Sequence, residues 1–381
     1  MLRHFFVPAT IRNHILGIPG DVNMRGTADL SRNNLDCLRL ILASTVVLVH
    51  HHALTNFHSL MIFRHEYAIV AVRGFFVISG LLIYRSYTKS SSFSSYLEKR
   101  VRRIYPAYFT IVVLAAIAFC ALSMLPASQY FGAGFWKYLG ANLLFLNFLA
   151  PTLPGVFASN IEPAVNGALW TLKIEVAFYL LVPLIHYLSS RLGATKVVTA
   201  IFLLSCAWKF GFAWLDSMYR SRAIYTLDSS RTLYAQMEVQ LPGQLLYFCA
   251  GILLLLYFER LKLHFASIAG ITAGLFLIDH FFTGDALDVL WISGLVFVFG
   301  FWRYFGNFSK YGDFSYGVYI VHFPILQALI ALGLARFNPA IFLIVSLSLI
   351  FLASLLMWHL VEKRFLKSSS HYRQEAVKVP G

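Results

Sequence analysis

Residues 35–54 read LDCLRLILASTVVLVHHHAL. As a helix rising about 1.5 Å per residue, this run spans about 30 Å, the thickness of a bilayer's hydrocarbon core. Comparable apolar runs recur along the whole chain. Of the 381 residues, 59% are hydrophobic and only 13% are charged, against about 25% charged in ordinary soluble domains. Mean hydropathy is +0.68. These values exclude a soluble enzyme and a disordered chain. They also exclude a nucleic-acid-binding module, despite the formal net charge of +14. A β-barrel would show short alternating segments instead of unbroken runs. The fold class is an all-α polytopic membrane protein.

Ten candidate spans follow: 35–54, 67–84, 104–125, 168–188, 197–215, 241–258, 265–282, 287–305, 314–334 and 340–361. An even number places both termini on one side. With the N-terminal segment taken as cytoplasmic, most lysines and arginines outside the spans fall on that face. Only Arg64, Lys137, Arg220, Arg222, Arg231 and Arg336 fall on the other. The positive-inside rule then makes both termini cytoplasmic. Residues 1–34 form a cytoplasmic extension without the compact apolar core of a cleavable signal, so the first span is expected to direct insertion. Residues 35–365 are the transmembrane domain, and 366–381 a polar cytoplasmic tail. The long connection 126–167 holds an apolar patch, 136–149, broken by Asn142 and Asn147. It is expected to lie at the outer interface or re-enter without crossing. Cys37, Cys120, Cys206 and Cys249 are spaced neither for a metal nor for a disulfide framework.

Ionisable residues inside spans cost at least about 2.5–3.5 kcal/mol each on insertion scales, so each is a candidate for function. Arg39 and His50 share the first span. Eleven residues at about 100° bring the chain to within about 20° of its starting direction, so both side chains lie on one face, roughly 16 Å apart along the axis. His51 and His52 point elsewhere. The blander reading makes Arg39 a snorkelling residue and the histidines a boundary cluster. In the second span, Arg73 precedes Gly74, Ser79 and Gly80, small residues suited to close helix approach. Lys99, Arg100, Arg102 and Arg103 open the third span. They read either as an anion site or as a topology signal. Arg100 and Arg103, at i and i+3, share a face. Glu175, about 10 Å into its span, lies near the depth expected for His50. It suits either orientation of that histidine or pairing with Arg73.

These residues resemble the acyltransferase-3 family of integral-membrane sugar O-acyltransferases. Arg39, ten residues and His50 resemble the family's opening Arg-x10-His motif, and Phe75-Phe76-Val77-Ile78-Ser79-Gly80 its Phe-Phe-x-x-Ser-Gly segment. Arg100-Val101-Arg102-Arg103, followed by Pro106, is similar to its Arg-x-x-Arg motif. Leu169-Trp170-Thr171-Leu172-Lys173-Ile174-Glu175 resembles its Trp-Ser-Leu-x-x-Glu, with Thr171 in place of serine. Ser315-Tyr316-Gly317-Val318-Tyr319-Ile320-Val321-His322 resembles its late Ser-Tyr-x-x-Tyr-Leu-x-His. Arg364 stands near a position where the family often has proline.

The resemblance implies acyl transfer, usually acetyl, from cytoplasmic acyl-CoA to a hydroxyl of a glycan, a lipid-linked sugar or another acceptor at the outer face. Acetyl-CoA is then the donor, with no metal and no nucleic-acid partner. The setting is the lipid bilayer of a bacterial inner membrane. His50, Glu175 and His322 are the catalytic candidates, His322 on the resemblance alone. Arg39, Arg100 and Arg103 are the candidates for the phosphates of coenzyme A. His50 fits two routes, as general base on the acceptor hydroxyl or as an acyl-histidine nucleophile. The competing class is a transporter or flippase for an anionic lipid-linked sugar. Such a protein tends to show repeated halves and interrupted helices, which this sequence lacks. A non-catalytic scaffold leaves the Arg39–His50 register unexplained.

Overall fold

A computed structural model describes residues 30, 32–222, 232–306, 308–367 and 370. The extension expected over 1–34 and the tail expected over 366–381 lie almost wholly outside the described residues. Among the described residues there are helices and no strand. The principal helices are α1 (Leu35–Thr55), α2 (His65–Thr88), α3 (Phe93–Ala118) and, after a short helix α4 (Ala133–Leu143), α5 (Trp170–Leu192) and α6 (Ala194–Arg222). They continue with α7 (Leu241–Leu256), α8 (Phe265–Ile278), α9 (Asp288–Phe301), α10 (Ser315–Ala331) and α11 (Pro339–Leu356).

All ten expected spans are helical. Eight, with their flanking turns, are long and apolar enough to cross a membrane; α9 and α10 are shorter. The spans expected over 287–305 and 314–334 are thus cut to 14 and 17 residues. Both begin at polar residues drawn into the protein. Asp288, fully buried at the start of α9, accepts from the Tyr247 hydroxyl at 2.5 Å and from Lys209 Nζ at 3.1 Å, and it pairs with Arg73. Asp313 holds the start of α10 by accepting from Ser315 N at 3.1 Å.

Elsewhere the helix ends follow local chemistry. Asn338 caps α11 by accepting from the Ala340 and Ile341 amides, with Pro339 in the first turn where no N–H is needed. Helix α4 overlaps the apolar patch of 136–149. It has eleven residues and buries Phe135, Tyr138 and Asn142, while Trp136 is exposed. At about 16 Å it is too short to cross. Asn142 is satisfied inside the protein, donating to the Tyr138 and Ala150 carbonyls at 2.9 Å.

The centre of the bundle is set by glycines. A Cβ on Gly80 would sit 1.9 Å from the Phe248 carbonyl oxygen, and one on Gly251 would sit 2.0 Å from that of Val77. Helices α2 and α7 therefore touch backbone to backbone, the packing that small residues permit in a membrane. Arg73 takes Asp288 as its carboxylate, so the pairing with Glu175 considered from sequence is not the one formed. Lys209, buried in α6, completes this cluster. Burying such charges is tolerable only because each has an opposite partner and further hydrogen bonds.

Candidate active site

Helices α1, α2, α3, α5 and α10 enclose a cavity of 720 Å³. At its mouth stand Lys89, Lys99, Arg100, Arg102 and Lys367. Further in are Arg39, Arg103, Glu175 and Tyr179, and its wall also includes Phe75, Thr171 and Tyr319. The three arginines singled out from sequence thus line one space, brought there from two helices.

Their surroundings differ. Arg39 and Arg103 both donate to Oδ2 of Asp313, so one carboxylate bridges the first span and the third. Arg103 also donates to Glu362 Oε2 at 3.0 Å. Glu362 reaches this position because the chain after α11 widens into a π-helical turn, Met357–Glu362, which turns both Trp358 and Glu362 inward. Gly312, at φ +122°, leaves room for the Trp358 ring, which a Cβ there would meet at 2.3 Å. Burial pushes the Asp313 carboxyl up, but Arg39, Arg103 and the Ser315 hydrogen bonds outweigh it and hold the group well below the usual carboxylate range.

Arg100 has no carboxylate partner among the described residues. It donates from Nη2 to Ser86 Oγ at 3.0 Å, and its guanidinium lies 5.9 Å from the centre of the Tyr179 ring. Its Nε–H is buried without a hydrogen-bond partner among the described residues. A buried, unsatisfied cationic donor in a cavity wall is suited to an anion.

The histidines fall as the helical register requires. His50 Nδ1 lies 2.9 Å from His322 Nε2, with the rings stacked at 5.1 Å. His51 turns away to Ser346 Oγ at 3.0 Å and His52 to the Phe57 carbonyl at 3.2 Å. His322 Nδ1 faces the Val318 carbonyl at 3.2 Å, which can only accept. In the neutral pair, His322 therefore carries its proton on Nδ1 and accepts at Nε2 from His50 Nδ1–H. The hydrogen-bond chain leaves the lone pair of His50 on Nε2. A histidine so fixed, with one nitrogen donating inward and the other without a hydrogen-bond partner among the described residues, can take a proton from a hydroxyl.

Glu175 accepts from the Tyr179 hydroxyl at 2.6 Å and faces the cavity. The group hydrogen-bonded to His50 is His322, and no hydrogen bond joins Glu175 to either histidine. Sequence reasoning placed Glu175 at a depth near His50 and named His322 on the family resemblance alone, without pairing it with His50. It passed over Asp313 and Lys209, and gave Tyr319, quoted within a motif, no role of its own. The sequence signal for Lys209 was present, as a lone lysine inside an apolar run. Asp313, in a polar connection, gave none.

The acyltransferase domain family matches residues 32–359. Nodulation protein 10 of Rhizobium leguminosarum bv. viciae is 27% identical over 328 residues, covering 79% of this chain and 85% of that protein. The O-acetyl transferase of Shigella phage Sf6 is 27% identical over 348 residues, covering 89% of this chain and 97% of the phage protein. Acyltransferase MdmB of Streptomyces mycarofaciens is 28% identical over 130 residues, 34% of this chain and 31% of its own. No solved structure matches the chain. With the match extending from before α1 into the turn after α11, this membrane protein belongs to the acyltransferase-3 family and is an acyltransferase.

Proposed function

We propose that the protein is an O-acetyltransferase of a bacterial inner membrane, moving an acetyl group from cytoplasmic acetyl-CoA to a hydroxyl of a glycan or lipid-linked sugar at the outer face. The observation that carries this reading is the Val318–His322–His50 hydrogen-bond chain beside a cavity with a cationic mouth. The positive-inside rule puts that mouth, and both termini, in the cytoplasm. The relative from Shigella phage Sf6, an O-acetyl transferase by name, supports the transfer to oxygen.

In this reading Arg100 holds phosphate together with the lysines of the mouth, and its unsatisfied Nε–H finds its acceptor there. Arg39 and Arg103, bridged by Asp313, shape the cavity and add positive potential. Glu175 and Tyr179 stand where a pantetheine arm would pass, and the carboxylate accepts from its amide N–H groups. His50 Nε2 removes the acceptor's hydroxyl proton as the oxygen attacks the thioester carbonyl. When the carbon–sulfur bond breaks, the thiolate takes that proton back from the imidazolium. His322 holds the His50 ring and its tautomer, as a third group does in hydrolase triads.

The test is mass spectrometry of surface glycans from a deletion strain. Loss of acetyl substituents, restored by the wild-type gene and not by His50→Ala, is the expected result. Unchanged acetylation in the deletion strain would remove the glycan as acceptor.

A further inference from the structure

Tyr319 links the cavity wall to the histidine pair. Tyr319 lines the cavity, which neither His50 nor His322 does. Its ring centre is 6.1 Å from that of His322 on the next turn of α10, and the ring meets Phe75 of α2 edge-on at 5.9 Å. The phenol is anchored at its far end. Tyr319 Oη and Thr171 Oγ1 lie 2.7 Å apart, and Tyr319 donates to the Ala168 carbonyl at 3.2 Å.

The turn that receives it, Gly167–Leu169, is itself fastened to α10. Asn166 Nδ2 donates to the Ile320 carbonyl at 2.9 Å. Gly167 lies under the Phe323 ring, which a Cβ there would meet at 2.7 Å. Tyr319 is thus held at its base by α10 and at its hydroxyl by the start of α5. Tyr319 and Phe75, in edge-on contact on this wall, are the rings a thioester entering from the cavity toward His50 would meet.

We propose that Tyr319 is the specificity residue for the acyl group: its ring closes the inner end of the cavity so that a short acyl chain passes to the histidines and a longer one is refused. This rests on the cavity being the acyl-CoA site, as argued above. Tyr319 touches the passing chain and takes no part in moving protons.

The experiment compares acyl transfer from acetyl-CoA and butyryl-CoA to endogenous acceptor, in membranes containing the full-length protein. Wild type is expected to prefer acetyl-CoA. Tyr319→Phe keeps the ring and is expected to keep the preference. Tyr319→Ala is expected to shift the ratio of kcat/KM values toward butyryl-CoA by about tenfold or more, since added methylenes are discriminated by about tenfold or more each where a pocket wall excludes them. Phe75→Ala opens the same wall from α2 and is expected to shift the ratio in the same direction if Tyr319→Ala does not fold. A wild type equally active on both donors, or a folded Tyr319→Ala and a folded Phe75→Ala with unchanged ratios, would overturn the inference while leaving the donor site standing. Wild-type membranes that transfer from neither acyl-CoA would instead overturn the donor reading, and this inference with it.

Discussion

His50 on α1 and His322 on α10 are joined by a hydrogen bond of 2.9 Å across 272 residues of sequence. Because the Val318 carbonyl fixes the His322 proton on Nδ1, the bond also fixes the tautomer of His50. Removing either ring has a different consequence. His50→Ala is expected to lower kcat by about 10²–10⁴, the usual worth of a general base. His322→Ala leaves the base in place but unoriented, so a smaller fall in kcat with little change in KM is expected. His51→Ala removes a bond to Ser346 and is expected to lower stability while sparing turnover per folded molecule. Equal kcat losses in all three variants would sink the assignment.

Of Arg39, Arg100 and Arg103, Arg100 is the one without a carboxylate partner among the described residues, and it carries the unsatisfied Nε–H. Arg100→Ala is expected to weaken coenzyme A binding to the purified protein, more at low salt than at high salt, with the melting temperature nearly unchanged. Arg100→Lys is expected to restore it only in part, because an ammonium cannot reproduce the guanidinium fork. Affinity unaffected by Arg100→Ala would reduce the residue to a topology signal.

Asp313 serves two arginines at once, so its loss is a stability matter. Breaking a buried ion pair by removing one partner costs roughly 3–5 kcal/mol. The sign with pH follows from the lowered carboxyl. A depressed folded-state pKa gives stability that is complete above the unfolded value of about 3.9 and fades as pH falls below it. Asp313→Asn is therefore expected to lower the melting temperature by a constant amount between about pH 6 and pH 8. The gap to wild type should narrow only in acid. A gap that grew in acid would contradict the assignment.

The glycine contact between α2 and α7 sets a further expectation. Gly80→Ala and Gly251→Ala each place a methyl group about 2 Å from a carbonyl oxygen. Overpacking of this kind costs roughly 1–3 kcal/mol. Both variants are expected to melt lower and accumulate less in the membrane. Gly270→Ala, with nothing within 4 Å, is expected to behave as wild type.

How far this was legible in the sequence depends on the range of the interaction. Helix positions follow from runs of apolar residues, a local property, and the Arg39–His50 register follows from helical periodicity within one span. Gly80 was readable as a packing residue because small residues in spans have few other uses. Its partner Gly251 was not, since nothing local distinguishes it from Gly270. The ion pairs lay out of reach for the same reason. Arg39, Arg103, Asp313 and Glu362 are brought together from four segments, and Glu362 arrives only through a π-helical turn. Depth along a helix was readable, whereas the side of the helix facing each neighbour was not. For that reason Glu175 was placed near His50, whereas His322, which had only the family resemblance behind it, is the group bonded to it.

Glu175 tests that distinction most directly. Its carboxylate accepts from Tyr179 at 2.6 Å and faces the cavity, while the inward nitrogen of His50 is already engaged by His322. If Glu175 serves the donor's amide groups, Glu175→Gln keeps an oxygen acceptor of the same shape. It is then expected to raise KM for acetyl-CoA by a few-fold with kcat nearly unchanged. Glu175→Ala, which removes both the acceptor and the Tyr179 bond, is expected to raise KM further and to lower the melting temperature. A charge acting on His50 through the cavity predicts the opposite split, with Glu175→Gln lowering kcat by about tenfold or more at unchanged KM. Steady-state kinetics on the two variants, each normalised to folded protein, separates the roles. A fall in kcat alone would return Glu175 to the proton-transfer machinery and make His322 one of two groups that set the basicity of His50.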